Sequence, residues 1–244
     1  MKVGRLEGWK VGLSVLIGVF LSNIPTVQLS AQVGHDPGSS PYRDVRLRPG
    51  PSFLVGEFNG SRGSADAAFS NAKSASIRYE LPAGKTLLVQ FNGAYLDGDR
   101  FIINPGADSS SPNRKTGPYD ASLVLVDMVL QLRLTGAKSW RGFAPYAGAG
   151  IGVAMESTAP PDTISSGAYK FGTKFTLTAA TGLRWYPFRR LWLNGDARFV
   201  FWKESYPASF HSAAPDGSRV LPLIHDLSEW IIHPWFSAGL GWSF

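Results

Sequence analysis

Four histidines stand in the chain: His35, His211, His225 and His233. Three of them fall in or beside residues 204–232, together with Ser209, Ser212, Asp216, Asp226 and Glu229. Serine, histidine and carboxylate are the parts of a nucleophile, a general base and an orienting acid. In "SFHSAAPDG" His211 stands directly beside Ser212, in a stretch whose Ser, Pro, Asp and Gly read as loop. A metal site from His211, His225 and Asp226 would have no compact ligand spacing, and the chain contains no cysteine to supply a thiolate. These side chains read as the polar surface of a solvated loop. No catalytic residue, metal or cofactor is expected.

A second set of ionisable residues is placed differently. Glu57, Arg78, Glu80, Asp127, Arg133, Glu156, Lys174, Arg184, Asp196 and Arg198 all lie on stretches where apolar and polar residues alternate. In 171–186 the odd positions Phe171, Phe175, Leu177, Ala179, Leu183 and Trp185 are apolar, while Lys174, Thr176, Thr178 and Arg184 occupy even ones. Successive side chains of a strand point to opposite faces, so this is a long strand with one greasy face. Residues 191–203 repeat the pattern, with Asn194, Asp196 and Arg198 on the polar face, and only 187–190 separate the two stretches, which predicts a hairpin. In 120–134 Val124, Val126, Met128, Leu130, Leu132 and Leu134 share one face, opposite Asp127, Gln131 and Arg133.

The same test predicts eight strands, near 51–60, 74–81, 86–96, 120–134, 143–156, 171–186, 191–203 and 233–244. Their connections alternate between short turns (82–85, 135–142, 187–190) and long polar loops (61–73, 97–119, 157–170, 204–232). The fourth long loop carries Leu223, Leu227, Trp230 and Ile231 at near-helical spacing, which predicts a short amphipathic helical turn. Aromatics cluster near the predicted strand ends. Phe143, Tyr146, Trp185, Tyr186, Phe188 and Trp192 lie by the short turns; Tyr95, Phe101, Tyr169, Phe171, Trp202 and Tyr206 lie by the long loops. Two interfacial girdles are expected.

Composition fits an unusual solvent. Charged residues make up 17% of the chain, below the soluble norm of about 25%, while aromatics reach 13%. The net charge of +6 comes from scattered Lys and Arg with no basic run, so nucleic-acid binding is not expected. Residues 1–31 read as an export signal peptide: Lys2, Arg5 and Lys10 precede an apolar run from Val11 to Leu21, and Ala31 offers a cleavage site. The apolar run is too short for a membrane helix. Residues 32–50 read as a flexible periplasmic segment.

Strands with one apolar face, in an exported chain without a helical span, predict an all-β fold: an eight-stranded antiparallel up-and-down transmembrane β-barrel over residues 51–244. Short turns at one end and long loops at the other suit an outer-membrane barrel, with the turns and both termini facing the periplasm. Outer-membrane lipids are then the surrounding partner, and a monomer is expected. With lipid outside, the ten charges named above point into a lumen only wide enough for side chains. Balanced signs predict an internal ionic network that plugs the barrel. A narrow water channel is the alternative, since Gly148, Gly150, Gly152, Gly172, Gly182, Gly239 and Gly241 could leave gaps.

The last strand carries a more specific resemblance. Ser237, Gly239, Trp242 and Phe244 match, position by position, the terminal signature of outer-membrane β-barrel proteins: polar, any, glycine, any, any, hydrophobic, any, aromatic. The chain resembles the small eight-stranded barrels of the OmpA and OmpX type, and 144–155, "APYAGAGIGVAM", resembles their glycine-rich strand. The resemblance implies that the barrel-assembly machinery reads the C-terminal strand, and that the role is structural or interactive through the long loops. Some barrels of this size are lipid A hydrolases, whose histidine and serine sit two apart on a membrane-facing strand; His211 and Ser212 do not match that pattern. A lipid-active barrel enzyme and a soluble lipocalin-like barrel are the competing readings.

Overall fold

The computed structural model describes residues 40–160 and 168–244. The leader 1–31, His35 and the centre of the loop after residue 157 lie outside them. The elements in order are β1 (Tyr42–Asp44), β2 (Gly50–Phe58), β3 (Ala72–Pro82), β4 (Leu87–Ile103), β5 (Lys115–Arg133), β6 (Lys138–Trp140), β7 (Phe143–Thr158), β8 (Thr173–Trp185), β9 (Leu191–Ser205) and β10 (Ser228–Trp242), with one 3-10 turn at Ala208–His211. Each of the eight long strands pairs antiparallel with its neighbour along the chain. The last of them, β10, also pairs with β2 (Trp235 opposite Phe58, Gly241 opposite Ser52), which closes the sheet into a cylinder. The short strands β1 and β6 pair with each other at the short-turn end, Tyr42 opposite Trp140.

The alternation is inverted relative to a soluble barrel. In β3 Ala72, Ser74, Ser76, Arg78 and Glu80 are buried, while Lys73, Ala75, Ile77, Tyr79 and Leu81 are exposed. In β5 the exposed residues are Val126, Met128, Leu130 and Leu132, each close to half exposed. Phe91, Ile151, Phe175, Leu177, Phe199, Phe236 and Leu240 continue this apolar belt around the cylinder. Monomeric proteins in water rarely expose apolar patches beyond a few hundred Å². Towards the loops the outer face turns polar: exposed Glu57, Lys73 and Asp97 stand opposite one another across β2, β3 and β4. A membrane strand needs about 9–11 residues. The 17 of β4 and 19 of β5 exceed that span, so their hairpin projects beyond the belt.

Four expectations are corrected here. Residues 97–103 and 115–119 are strand rather than loop; their Asp and Gly content looks loop-like, but the ladder continues to Ile103 opposite Lys115, and Ile102 and Ile103 are buried. The helical spacing at 223–231 forms no helix. From Ser228 onward the chain pairs with the extended end of β9, Ser228 opposite Ser205, and a period of two holds, with Ile231 and His233 in and Trp230 and Ile232 out. A helix of one or two turns has too few hydrogen bonds to compete with that ladder. Residues 42–44 are not loosely tethered but paired with β6. The barrel strand β2 begins at Gly50 rather than 51.

Candidate functional site: the filled lumen

In the half of the lumen nearer the short turns, the inward faces of β3, β4, β5, β8 and β9 converge on one polar network. Arg78 is ion-paired with Asp196. Arg198 donates to both oxygens of Asp127, at 3.2 and 3.1 Å, and lies 3.7 Å from Asp196. Its other arm donates to Gln90 Oε1 at 2.6 Å. Gln90 in turn donates to Glu80 at 3.1 Å, and Arg184 donates to Glu80 at 2.5 Å and to Gln131 at 2.8 Å. All these side chains are buried. The network therefore crosses the cylinder between walls that are far apart in sequence. Arg133 lies below it, donating to the Lys138 carbonyl at 3.3 Å and facing the Tyr186 ring.

The half nearer the loops is filled by rings. Trp202 stacks on His233, with centroids 3.9 Å apart, and on Phe58 at 5.7 Å; Phe171 meets it edge-on at 5.7 Å. Trp235, Phe69, Leu96, Leu123, Leu125 and Val200 belong to the same buried cluster. Several polar atoms in this layer have partners, while His233 Nε2 and Thr176 Oγ1 have none among the described residues. The Trp235 indole donates to Ser74 at 2.8 Å and the Trp202 indole to Glu204 at 2.7 Å. Glu204 also takes Lys174 at 3.1 Å and the Tyr169 hydroxyl. Arg100 pairs with Glu156 at 3.0 Å. The Ser61 amide donates to His233 Nδ1 at 3.2 Å, which puts the neutral ring's proton on Nε2. The Arg198 guanidinium lies over the Trp235 ring, where the two halves meet.

Of the ten inward charges expected, Arg78, Glu80, Asp127, Arg133, Glu156, Lys174, Arg184, Asp196 and Arg198 face the lumen side. Glu57 does not: it is exposed on the outer surface, because β2 sends Ser52, Leu54 and Phe58 inward. Glu156 and Lys174 flank one loop but do not pair with each other. They pair instead with Arg100 and Glu204, which the sequence reading placed in a loop or beyond a strand end. Both missed residues continue the inward parity of β4 and β9, so extending the alternation past the apparent strand ends would have found them. Tyr146, Trp192, Tyr169, Phe171, Trp202 and Tyr206 are buried rather than girdle residues. Trp185 and Phe188 at the short-turn end and Tyr95 at the loop end are exposed as expected, and Trp140 and Trp242 join them at the short-turn end. Two of the glycines leave less room than expected, while a side chain at Gly172 would meet open space. Tyr146 lies over Gly182 and Trp192 over Gly241, so an added Cβ there would collide with a ring.

The loop serine, histidine and acid residues do not come together as a triad. The His211 ring nitrogen Nε2 lies 3.0 Å from the His225 carbonyl, and His233 is in the lumen. Asp216 accepts from Ser218 and from the amide and hydroxyl of Ser109, each of the Ser109 bonds 2.8 Å long, which hold its carboxyl well below the usual carboxylate range and tie two long loops together. Glu229 accepts from the Ser64 amide at 2.6 Å and the Tyr206 hydroxyl at 2.6 Å, bracing a third loop. No group of three metal-ligating side chains occurs among the described residues. On β10, Ser237 and Gly239 face inward, while Trp242 and Phe244 are exposed; the Phe244 carbonyl accepts from Arg48 at 3.2 Å.

No protein-family model and no curated protein matches the chain. Solved structures similar to it include Neisserial surface protein A, at 13% identity and a TM-score of 0.45, covering 84% of this chain and 98% of that one. The N-terminal β-barrel domain of Pseudomonas aeruginosa OprF is similar at 12% identity and a TM-score of 0.42, covering 81% and 98%. Ail, the attachment invasion locus protein of Yersinia pestis, is similar at 13% identity and a TM-score of 0.37, covering 81% and 100%. Strand pairing, the apolar outer belt and the polar lumen within this chain itself make it an eight-stranded antiparallel up-and-down β-barrel of the outer-membrane type.

Proposed function

We propose that the protein is an integral outer-membrane barrel with a closed lumen, and that it acts through its loop end as a structural or surface-interaction protein rather than as an enzyme or a pore. The observation that carries this reading is the two-layer filling of the lumen, with an ionic network below and a ring cluster above. A barrel so filled offers a solute no evident route, and the part left accessible is the loop cap. That cap is braced by Asp216 and Glu229 and presents Leu223 and Ile224, 64% and 88% exposed, at its tip. Braced loops present a pre-organised surface, which lowers the ordering cost of binding a partner. Outer-membrane lipids would cover the belt. The barrel-assembly machinery would read Ser237, Gly239, Trp242 and Phe244.

Because the chain has no cysteine, Ile224→Cys and Phe188→Cys each supply a single label site. On intact cells a membrane-impermeant maleimide should label the Ile224 variant, and label the Phe188 variant only after lysis. The reverse pattern, or release of the protein by carbonate without detergent, would overturn the reading.

A further inference from the structure

The two ends of the barrel treat their cations differently. At the loop end four cations are ion-paired: Arg62 with Asp99 at 3.0 Å, Lys115 with Asp66, Arg100 with Glu156 and Lys174 with Glu204, while Arg114 and Arg219 donate to backbone carbonyls. At the short-turn end a whole group of arginines lacks such pairs. A cavity of about 930 Å³ opens there, lined by Arg43, Arg46, Arg48, Arg141, Arg189 and Arg190. Among the described residues none of these six has an Asp or Glu carboxylate within ion-pair distance. The acids on the cavity wall are Asp44 and Glu80, and Glu80 is already held by Arg184 at its floor. Arg48 donates to the Phe244 carbonyl, and Arg141 lies over the Trp140 ring at 5.3 Å. The other walls are aromatic, from Trp185, Tyr186, Phe188 and Trp192.

Rim cations that served only solubility would not need to line a concavity. Six guanidiniums around one cavity repel each other and raise the local potential, which favours a counter-anion. A guanidinium presents a planar fork of donors that fits phosphate oxygens two at a time. Several forks around one space suit an anion with dense charge and many acceptors, which a phosphate is and a single carboxylate is not. The volume falls within the roughly 300–1,000 Å³ of small-ligand sites, and aromatic walls can cover the apolar part of such a ligand.

We infer that the short-turn mouth is a binding site for a phosphate-bearing anion, gripped by Arg46, Arg189 and Arg190 above the Arg184–Glu80 pair. The ligand is either a soluble phosphorylated small molecule or the headgroup of a phospholipid in the adjoining leaflet. The chemistry is the same, and neither source depends on whether the lumen conducts.

The test uses the full chain folded in detergent. One arm titrates inorganic pyrophosphate by calorimetry; the other titrates micelles doped with phosphatidic acid, with undoped micelles as reference. At least one arm should show saturable binding. Arg46→Gln, and separately the pair Arg189→Gln and Arg190→Gln, should each weaken it about tenfold or more, while Arg46→Lys, which keeps the charge and loses the fork, should fall between. Arg219→Gln at the loop end removes the same charge and should leave binding unchanged. Raising salt should weaken binding, as screened ion contacts require. Arg46 lies outside the strands, so its variant remains informative if the double variant fails to fold. Binding of pyrophosphate identifies a soluble source, and binding of doped micelles alone identifies the headgroup. Binding in neither arm, or equal losses in the Arg46 and Arg219 variants, would overturn the inference.

Discussion

The two halves of the lumen follow the same strand alternation and fill it with opposite chemistry. Near the short turns the inward residues are Arg78, Arg184, Arg198, Glu80, Asp127 and Asp196, joined through Gln90 and Gln131. Near the loops they are Phe58, Trp202, His233, Trp235 and Val200, capped by Phe69, Phe171 and Phe210. The ring half is stabilised by burial, at about 1.5–3 kcal/mol for each large side chain. The ionic half gains little net energy over an apolar filling, because desolvation offsets the attraction, but it is intolerant of losing one member. Stability and selective fragility are thus stacked along one axis.

The largest effects should come from breaking either half. Arg198→Ala strands Asp127, while Asp196 keeps Arg78, and should cost about 3–5 kcal/mol. Trp202→Ala leaves a cavity among rings and should cost a similar 3–5 kcal/mol. The halves differ in what restores stability. Adding Asp127→Asn to Arg198→Ala should recover much of the loss, since the uncompensated charge is removed while Arg78 keeps Asp196, whereas no polar substitution should rescue Trp202→Ala. Urea titration of the refolded barrel reads both, and an unrescued charge variant would contradict the distinction.

Next in size is the outer face. Val126→Arg, on the belt, should cost about 2–4 kcal/mol, while Ser110→Arg, in the loop beyond β4, should cost little. Equal tolerance in the same titration would remove the inside-out assignment. Smaller still is the pairing at the boundary between lumen and loops. A double-mutant cycle on Lys174 and Glu204 should show coupling of about 0.5–3 kcal/mol, and one on Lys174 and Glu156 close to none.

Much of this was legible in the sequence because alternation is a local signal. Eight strands, three short turns and nine of ten expected lumen charges follow from parity alone, as in β3, where every second residue from Ala72 to Glu80 faces inward. Glu57 was misassigned because β2 offers a weak pattern, with Gly56 beside it and an inward Phe58. The ring cluster was not legible, for a physical reason. An aromatic near a strand end suits a membrane interface and a packed lumen equally; parity sets Trp202 on the face of Asp196 and Arg198, but its stacking on Phe58 and His233 is made by strands distant in sequence. The cavity arginines are not obvious in the sequence because they come from separate stretches, 43–48, 141 and 189–190.

The smallest expected effect is the acid response of the loops. Hydrogen bonds from Ser218 and Ser109 hold the Asp216 carboxyl well below the usual range. A depressed folded pKa contributes its stabilisation above the ordinary carboxylate pKa and loses it only as pH falls through the lowered value. The brace between the two loops should therefore persist at acidities that protonate ordinary carboxylates. Protection of the Ser109 amide against hydrogen exchange, followed with falling pH and compared with Asp216→Ala, checks this; loss of protection at ordinary carboxylate titration would contradict it.

Steady ionic current through the native protein in a planar bilayer tests the central claim most directly. A lumen closed by an ionic layer and a ring layer predicts almost no steady conductance at neutral pH, with intermittent openings at most in Arg198→Ala. Large, stable, ohmic currents from the native chain would contradict it and show that water passes both layers.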